Sequence, residues 1–184
     1  MDISGEYLIR IPQQQVWESL LNPDTLKTCI PGCESLEQLA DDHYRAQVKI
    51  TIGPVRATFQ TELRIKNAQP PKSYRLEGVG KGGAVGFGQG YAEVTLEEDK
   101  NGTILRYKSA FQVGGRLAQI GSRLVLGATR KIADDFFDRL TQHIDSGSQR
   151  LDESPKTSNR LPFFIGIIIL AIITITWWLS SSST

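Results

Sequence analysis

From Asp2 to Val113 apolar and polar side chains alternate with a period of two, in segments broken by turn residues. Ile3, Gly5, Tyr7, Ile9 and Ile11 alternate with Asp2, Ser4, Glu6, Leu8 and Arg10, which predicts a first strand. Pro12 suits the first turn of a short helix reaching about Leu21, with Val16, Trp17, Leu20 and Leu21 on its apolar side. Asn22-Pro23-Asp24 interrupts it, and Asp24 is placed to cap a second short turn from Thr25 to Ile30. Strands resume with Tyr44, Ala46, Val48, Ile50 and Ile52 on one face, and after Gly53-Pro54 with Val55, Ala57, Phe59, Thr61, Leu63 and Ile65. Pro70-Pro71 marks the next turn, before Tyr74 to Gly80. Beyond a glycine-rich stretch come Ala92, Val94 and Leu96, a hairpin signal at Asn101-Gly102, and Leu105, Tyr107, Ser109, Phe111 and Val113. Sequential hairpins of this kind form an antiparallel meander with one buried face.

The period then changes to 3.6. Leu117, Ile120, Leu124, Ala128, Ile132, Phe136, Leu140 and Ile144 form a single stripe, predicting one long amphipathic helix. The fold class is therefore α+β: a curved antiparallel sheet of about seven strands around a long C-terminal helix, which the sheet's apolar face needs as cover. This domain is expected to span residues 1–145.

After it, residues 146–160 read SGSQRLDESPKTSNR, polar and without apolar period, as a flexible linker does. Leu161 to Leu179 carry no charged side chain, and nineteen residues give a helix of roughly 28 Å, close to the hydrocarbon thickness of a bilayer. A transmembrane helix over 161–179 is expected, followed by a short tail, 180–184. Trp177 and Trp178 stand where aromatic rings prefer the headgroups, and Arg150, Lys156 and Arg160 flank the N-terminal side. The positive-inside bias places the domain in the cytoplasm, on a single-pass anchor in the cytoplasmic membrane. Met1 to Arg10 lack the basic and apolar regions of a signal peptide.

Charge narrows the partners. The chain has 21 Lys plus Arg against 20 Asp plus Glu, and the domain itself carries 18 of each. A balanced domain is not built for nucleic acid, where a basic surplus supplies most of the affinity. No Gly-x-Ser-x-Gly or His-Glu-x-x-His pattern is present, and no Cys/His set has metal-ligand spacing. His43 and His143 read as solvated surface histidines, and Cys29 and Cys33 as buried or half-buried free thiols. No intrinsic cofactor or metal is expected.

The concave face carries more information. Phe59, Leu63, Tyr74, Leu76, Tyr91, Tyr107 and Phe111 are expected to point inward, toward Leu124, Ala128 and Phe136 of the helix. Ordinary core accounts for such residues taken singly. Yet Gly78, Gly80, Gly82, Gly83, Gly86, Gly88 and Gly90 occupy seven of thirteen consecutive positions, and Gly121 and Gly127 lie on or beside the opposing helix. Missing side chains on facing surfaces either bring backbones together or leave a void, and a void lined by aromatic and aliphatic groups is a lipophilic pocket. Gly82, Gly83 and Gly86 would form a mobile lip, or gate. On the outward face Arg45, Lys49, Arg56, Arg64, Lys66, Arg75, Lys81, Arg106 and Lys108 outnumber Glu62, Glu77, Glu93 and Glu97. Solvated cross-strand pairs explain that face, and contact with an anionic membrane or acidic enzyme surface is the alternative.

The element order resembles the helix-grip superfamily of START-like and Bet v 1-like proteins. Within it the chain is similar to the CoxG family of carbon monoxide dehydrogenase subunits. The resemblance is carried by Pro12 with Val16-Trp17, Leu26, the stretch Ile30-Pro31-Gly32-Cys33-Glu34-Ser35-Leu36, and Gly53-Pro54-Val55. Tyr74-Arg75-Leu76, Gly78, Gly80, Gly114-Gly115-Arg116-Leu117-Ala118 and Gly121-Ser122-Arg123 add to it. It implies a non-catalytic accessory protein of a molybdenum-containing carbon monoxide dehydrogenase, or of a related molybdenum hydroxylase. It further implies a bound respiratory quinone (menaquinone or ubiquinone) and a link between enzyme and membrane. A recruitment adaptor without ligand transfer is the alternative, and an enzyme of the polyketide-cyclase type the least favoured reading.

Overall fold

The computed structural model describes residues 1–152, with side chains described through Ile144. The chain forms seven strands: β1 (Asp2–Ile9), β2 (Cys33–Ala40), β3 (His43–Ile52), β4 (Val55–Gln69), β5 (Ser73–Lys81), β6 (Phe87–Asp99) and β7 (Gly102–Gly114). Helices α1 (Gln13–Leu21) and α2 (Pro23–Cys29) separate β1 from β2, and α3 (Arg116–Gln119) and α4 (Ser122–Asp152) follow β7. All neighbours in the sheet are antiparallel, in the order β1-β7-β6-β5-β4-β3-β2. β1 thus returns to pair with the last strand, while β2 stays at the far edge.

Local chemistry explains the breaks. The Pro12 carbonyl accepts the first helical bonds, from the amides of Gln15 and Val16, and α1 buries Val16, Trp17 and Leu20. The cap of α2 is Asn22 rather than Asp24: its side-chain oxygen accepts the Thr25 amide at 3.0 Å, with Pro23 opening the helix. The β6–β7 hairpin turns at Lys100-Asn101, one residue earlier than Asn101-Gly102 suggests, because Asp99 and Gly102 already pair. Gly102 has φ +139°, and a Cβ there would collide with the carbonyl of Ile9. β2 has no counterpart in the alternation pattern, since as an edge strand it exposes most of its side chains.

The long helix differs most from expectation. It is not continuous from Leu117. The chain breaks at Ile120-Gly121, with Gly121 at φ +93°, and α4 restarts at Ser122 with its phase reset. The buried face is then Val125, Phe137, Leu140 and Ile144, with Thr129, Ile132, Ala133 and Phe136 half-buried, while Leu124 is 53% exposed. At its other end α4 continues helical to Asp152, beyond the expected start of the linker at residue 146. The remainder of that linker, the anchor over 161–179 and the tail 180–184 lie outside the described residues. Among the described residues no helix is long and apolar enough to cross a membrane.

The main core joins α1, the concave sheet face and the C-terminal part of the described helix, with Ile9, Val16, Tyr44, Leu105 and Leu140 almost fully enclosed. Two buried polar groups close its edge: Gln13 donates to the Leu96 carbonyl at 2.7 Å, and Thr103 to that of Ile11 at 2.8 Å. Tyr7 lies on Phe137 at 4.2 Å between ring centroids, Tyr107 at 5.7 Å from the same ring, and Trp17 meets Tyr74 edge-on at 5.6 Å.

Two outcomes follow from this packing. Leu140→Ala leaves a cavity in the core and should cost about 2–5 kcal/mol of unfolding free energy, against under about 0.5 kcal/mol for Leu124→Ala. Urea titration of both reads the difference, and equal costs would mean the stripe runs through Leu124 after all. Burial, first among the causes, raises the hydroxyl pKa of Tyr7, Tyr44, Tyr74 and Tyr107 in the folded state. Unfolded tyrosines ionise near about pH 10 while folded ones keep their protons, so this stabilisation is complete below that pH and lost above it. Urea midpoints should therefore hold up to about pH 9 and fall from about pH 10 upward.

Candidate functional site

Between the concave face and α4 lies an apolar space in two adjoining lobes. The inner lobe, about 300 Å³, is lined by Leu20, Leu26, Ile30 and Pro31 from the α1–α2 region, by Tyr44, Leu63, Ile65, Tyr74, Val94, Leu105 and Tyr107 from the sheet, and by Ala133, Phe136 and Phe137 from α4. The outer lobe, about 390 Å³, is lined by Ile50, Ile52, Phe59, Phe111, Val113, Leu117 and Val125, over a floor of glycines. Leu63, Leu76, Ala92, Ser109, Thr129 and Ile132 border both.

The register shows why the space exists. Gly78 pairs with Gly90 and Gly80 with Gly88, so four side chains are missing from adjacent positions on the concave side of β5 and β6. The flanking strands place Leu63 opposite Gly78 and Phe111 opposite Gly90, at the margins of the bare patch. At the inner end Tyr7, Tyr107 and Phe137 prop the helix away from the sheet. One region is filled by rings, and its neighbour is left bare.

Most of the expected lining residues meet here. Phe59, Leu63, Tyr74, Leu76, Tyr107, Phe111 and Phe136 all border the space. Three do not fit. The Tyr91 ring faces outward, with the Arg75 guanidinium 3.4 Å above its centroid, because inward positions on β6 are Gly90 and Ala92. Leu124 is exposed beside Gly53, and Ala128 packs on the small cluster of Ile52, Phe59 and Leu117 without bordering either lobe. Both errors come from the phase reset at Gly121. The sheet's true partners on the helix are Val125, Thr129, Ile132, Ala133 and Phe137, of which only Ile132 stands on the predicted stripe. Gly121 and Gly127 are exposed with open space around them, so they do not thin the helix face.

The expected gate residues occupy the β5–β6 turn, which contains a 3-10 turn over Gly83–Val85. The Gly82 amide donates to the Gly86 carbonyl at 2.8 Å, and the Gly86 amide to that of Gly83 at 3.1 Å. A side chain at Gly82 would press on the Phe59 ring at 2.8 Å, and one at Gly86 would strike the Gly114 carbonyl. The turn therefore sits against the outer lobe, beside the β7–α3 junction.

Chemically the space is dry and uncharged. No charged side chain borders either lobe. Its hydroxyls are largely engaged: Ser109 donates to the Tyr91 carbonyl at 2.9 Å, Thr129 to that of Val125 at 2.9 Å, and Tyr44 to that of Leu21 at 3.0 Å. Burial pushes the Tyr74 hydroxyl well above the usual phenol range, so it stays a neutral group. Burial likewise raises the thiols of Cys29 and Cys33. They are free, one buried and one half-buried. Among the described residues no three potential ligands converge on a metal position.

His143 is exposed, whereas His43 is not the solvated histidine expected: its side chain is 15% exposed, with Nε2 at 3.6 Å from Glu62 and no hydrogen-bond partner there. On the outer face Arg75 pairs with Glu77 and Glu93, Arg106 with Glu6 and Glu97, and Lys66 with Asp42. Such exposed pairs contribute about 0–1 kcal/mol each, so they keep the sheet soluble rather than hold it together. A polar hollow of about 770 Å³ among Arg45, Gln60, Glu62, Arg64, Glu77 and Lys81 belongs to this face.

Known proteins agree with this architecture. A conserved protein from Geobacillus kaustophilus is 30% identical over 79% of this chain and 96% of its own, with a TM-score of 0.75. A protein from Thermus thermophilus is 14% identical, covering 80% of this chain and 99% of its own, with a TM-score of 0.62. Ara h 8.0201 is also 14% identical, over 79% and 98%, with a TM-score of 0.60, and it shares the Bet v 1-like fold. No curated protein matches the chain. The family profile of the carbon monoxide dehydrogenase G-subunit (CoxG) matches residues 5–145, from the first strand to the last described turn of α4. The chain therefore belongs to the CoxG family of carbon monoxide dehydrogenase subunits.

Proposed function

We propose that this protein is a non-catalytic accessory of a molybdenum-containing carbon monoxide dehydrogenase, or of a related molybdenum hydroxylase, and that it carries a lipophilic ligand between membrane and enzyme. The observation that carries the reading is the uncharged two-lobed space beneath α4. Small-molecule sites range over about 300–1,000 Å³, and two adjoining lobes of about 300 and 390 Å³ fall within that range. With no carboxylate, imidazole or ammonium at its wall, the site offers solvation of an apolar molecule rather than acid–base chemistry. Membership of the family supplies the enzyme partner.

A respiratory quinone, menaquinone or ubiquinone, suits both the partner and the space. A planar ring stacks well among Tyr74, Tyr107, Phe136 and Phe137, and an isoprenoid tail needs only dry walls. Exposing that tail to water costs about 0.8 kcal/mol per CH₂, whereas moving it from bilayer to cavity costs little because both are apolar. Exchange is then limited by opening the glycine turn at Gly82, Gly83 and Gly86 and by encounters with the membrane. Leu161–Leu179 is proposed as the anchor that keeps those encounters frequent, with the domain on the cytoplasmic side.

Organic extraction of a purified fragment comprising residues 1–152, followed by mass spectrometry, should release one dominant lipophile in near-stoichiometric amount. Ala92→Phe plugs the waist shared by both lobes and should lower that yield at least about tenfold while the fragment stays folded. Ala128→Trp, outside the space, should not. An empty wild-type fragment, or equal yields from wild type and the Ala92 variant, would reject the carrier reading. Capture of the dehydrogenase by a ligand-free fragment would then favour the adaptor.

A further inference from the structure

Hairpin topology divides the fold into two ends. The β3–β4 turn, the β5–β6 turn and the β7–α3–α4 junction all lie at one end, because successive antiparallel strands reverse there. The outer lobe reaches this end through Ile52, Phe59, Val113 and Leu117. The residues that rim it are distributed in an unusual way. The three segments 48–60, 79–91 and 112–126 contain Lys49, Arg56, Lys81, Arg116 and Arg123 and not one Asp or Glu.

All five cations are exposed, and none takes part in an ion pair among the described residues. The cations elsewhere on the sheet behave differently, as the Arg75 and Arg106 pairs show. The nearby edge strand β1 brings Asp2 opposite Ala110, but next to the Met1 ammonium, which donates to the Phe111 carbonyl at 2.8 Å. The opposite end carries both signs, with Asp41, Asp42, Glu97, Glu98 and Asp99 beside Lys66, Lys72 and Lys100. In a domain of balanced charge this is a dipolar arrangement, positive at the cavity's outer end.

Exposed apolar side chains occupy the same end. Phe87 is 42% exposed, lying over Gly114, and Leu124 is 53% exposed, beside Gly53. Val55, Val85 and Ile120 are half-buried around them. Apolar groups at loop tips within a ring of unpaired cations, with no acid to repel phosphate, are complementary to the headgroup region of an anionic bilayer.

We infer that this end of the fold, the rim of Phe87, Leu124, Arg56, Lys81, Arg116 and Arg123, docks onto an anionic lipid surface and so points the outer lobe at the bilayer. The inference deepens the carrier reading and rests on it for its purpose, though not for its geometry. Docking would bring the β5–β6 turn to the headgroups, giving an apolar ligand a route that bypasses water.

The test uses the full chain on vesicles of phosphatidylcholine with and without phosphatidylglycerol, in a Cys33→Ser background. An environment-sensitive fluorophore is attached at Ala84→Cys, on the β5–β6 turn, or at Asn101→Cys, at the opposite end. Nitroxide-bearing phospholipid should quench the label at position 84 and spare that at position 101, only with phosphatidylglycerol present and less as salt rises. Each cation near an anionic surface contributes about a fivefold factor to partition, so Arg116→Gln with Arg123→Gln should lower the docked fraction about 25-fold. Quenching that is absent at position 84, equal at both positions, or indifferent to the charge changes overturns the inference. So does protection of position 84 by the dehydrogenase alone, which would make an acidic protein the occupant. Extraction separates the two readings: a protein that docks but yields no lipophile retains the docking face and loses the carrier function.

Discussion

Helix α4 crosses the concave face of a seven-stranded sheet, and side-chain size along that contact decides how closely the two approach. At the inner end the stack of Tyr7, Tyr107 and Phe137 holds them apart, while Leu140 and Ile144 seal the core beside α1. Farther along, Gly78, Gly80, Gly88 and Gly90 remove the side chains that would meet Thr129, Ile132 and Val125. A rigid helix propped at one end cannot sink onto bare backbone at the other, since its path is fixed over several turns. The space follows from that mismatch, and so does its apolar character, because every group bordering it comes from the core faces of sheet and helix.

The same geometry accounts for what the site does not contain. Charged residues on β3 to β7 point to the convex face, where Glu6, Arg106 and Glu97 pair across strands. Alternation with a period of two enforces the separation: a residue that alternates out of the core cannot reach the cavity. Recognition of a ligand is then a matter of shape, dryness and a few hydroxyls, and charge acts only at the rim, where it meets the surroundings of the protein rather than its cargo.

The strands and their inward sets were legible in the sequence because period-two patterning survives wherever one face is buried. That is why spacing alone assigns Phe59, Leu63, Tyr74, Leu76, Tyr107 and Phe111 to one space. Tyr91 went astray for the opposite reason: it is aromatic, but it belongs to the outward set and shields the Arg75 guanidinium. β2 escaped notice as an exposed edge strand with no alternating burial to betray it. In the helix, a stripe continued through Gly121 looked unbroken at the level of spacing. A left-handed glycine there resets the phase, moving the inner face from Leu124 and Ala128 to Val125, Thr129 and Ala133. Contributions from Leu20, Leu26, Ile30 and Pro31 depend on how the α1–α2 pair folds over the mouth of the inner lobe, which no local pattern encodes.

Central to this account is a persistent apolar space above the paired glycines of β5 and β6. A crystal structure of the 1–152 fragment, determined under xenon pressure after delipidation, tests it most directly, since dry apolar cavities take up xenon. The account predicts xenon density in the outer lobe over Gly78 and Gly90 and in the inner lobe beside Tyr74 and Phe136, with α4 in place. A structure in which α4 lies on the glycine patch, with no xenon between helix and sheet, would contradict it.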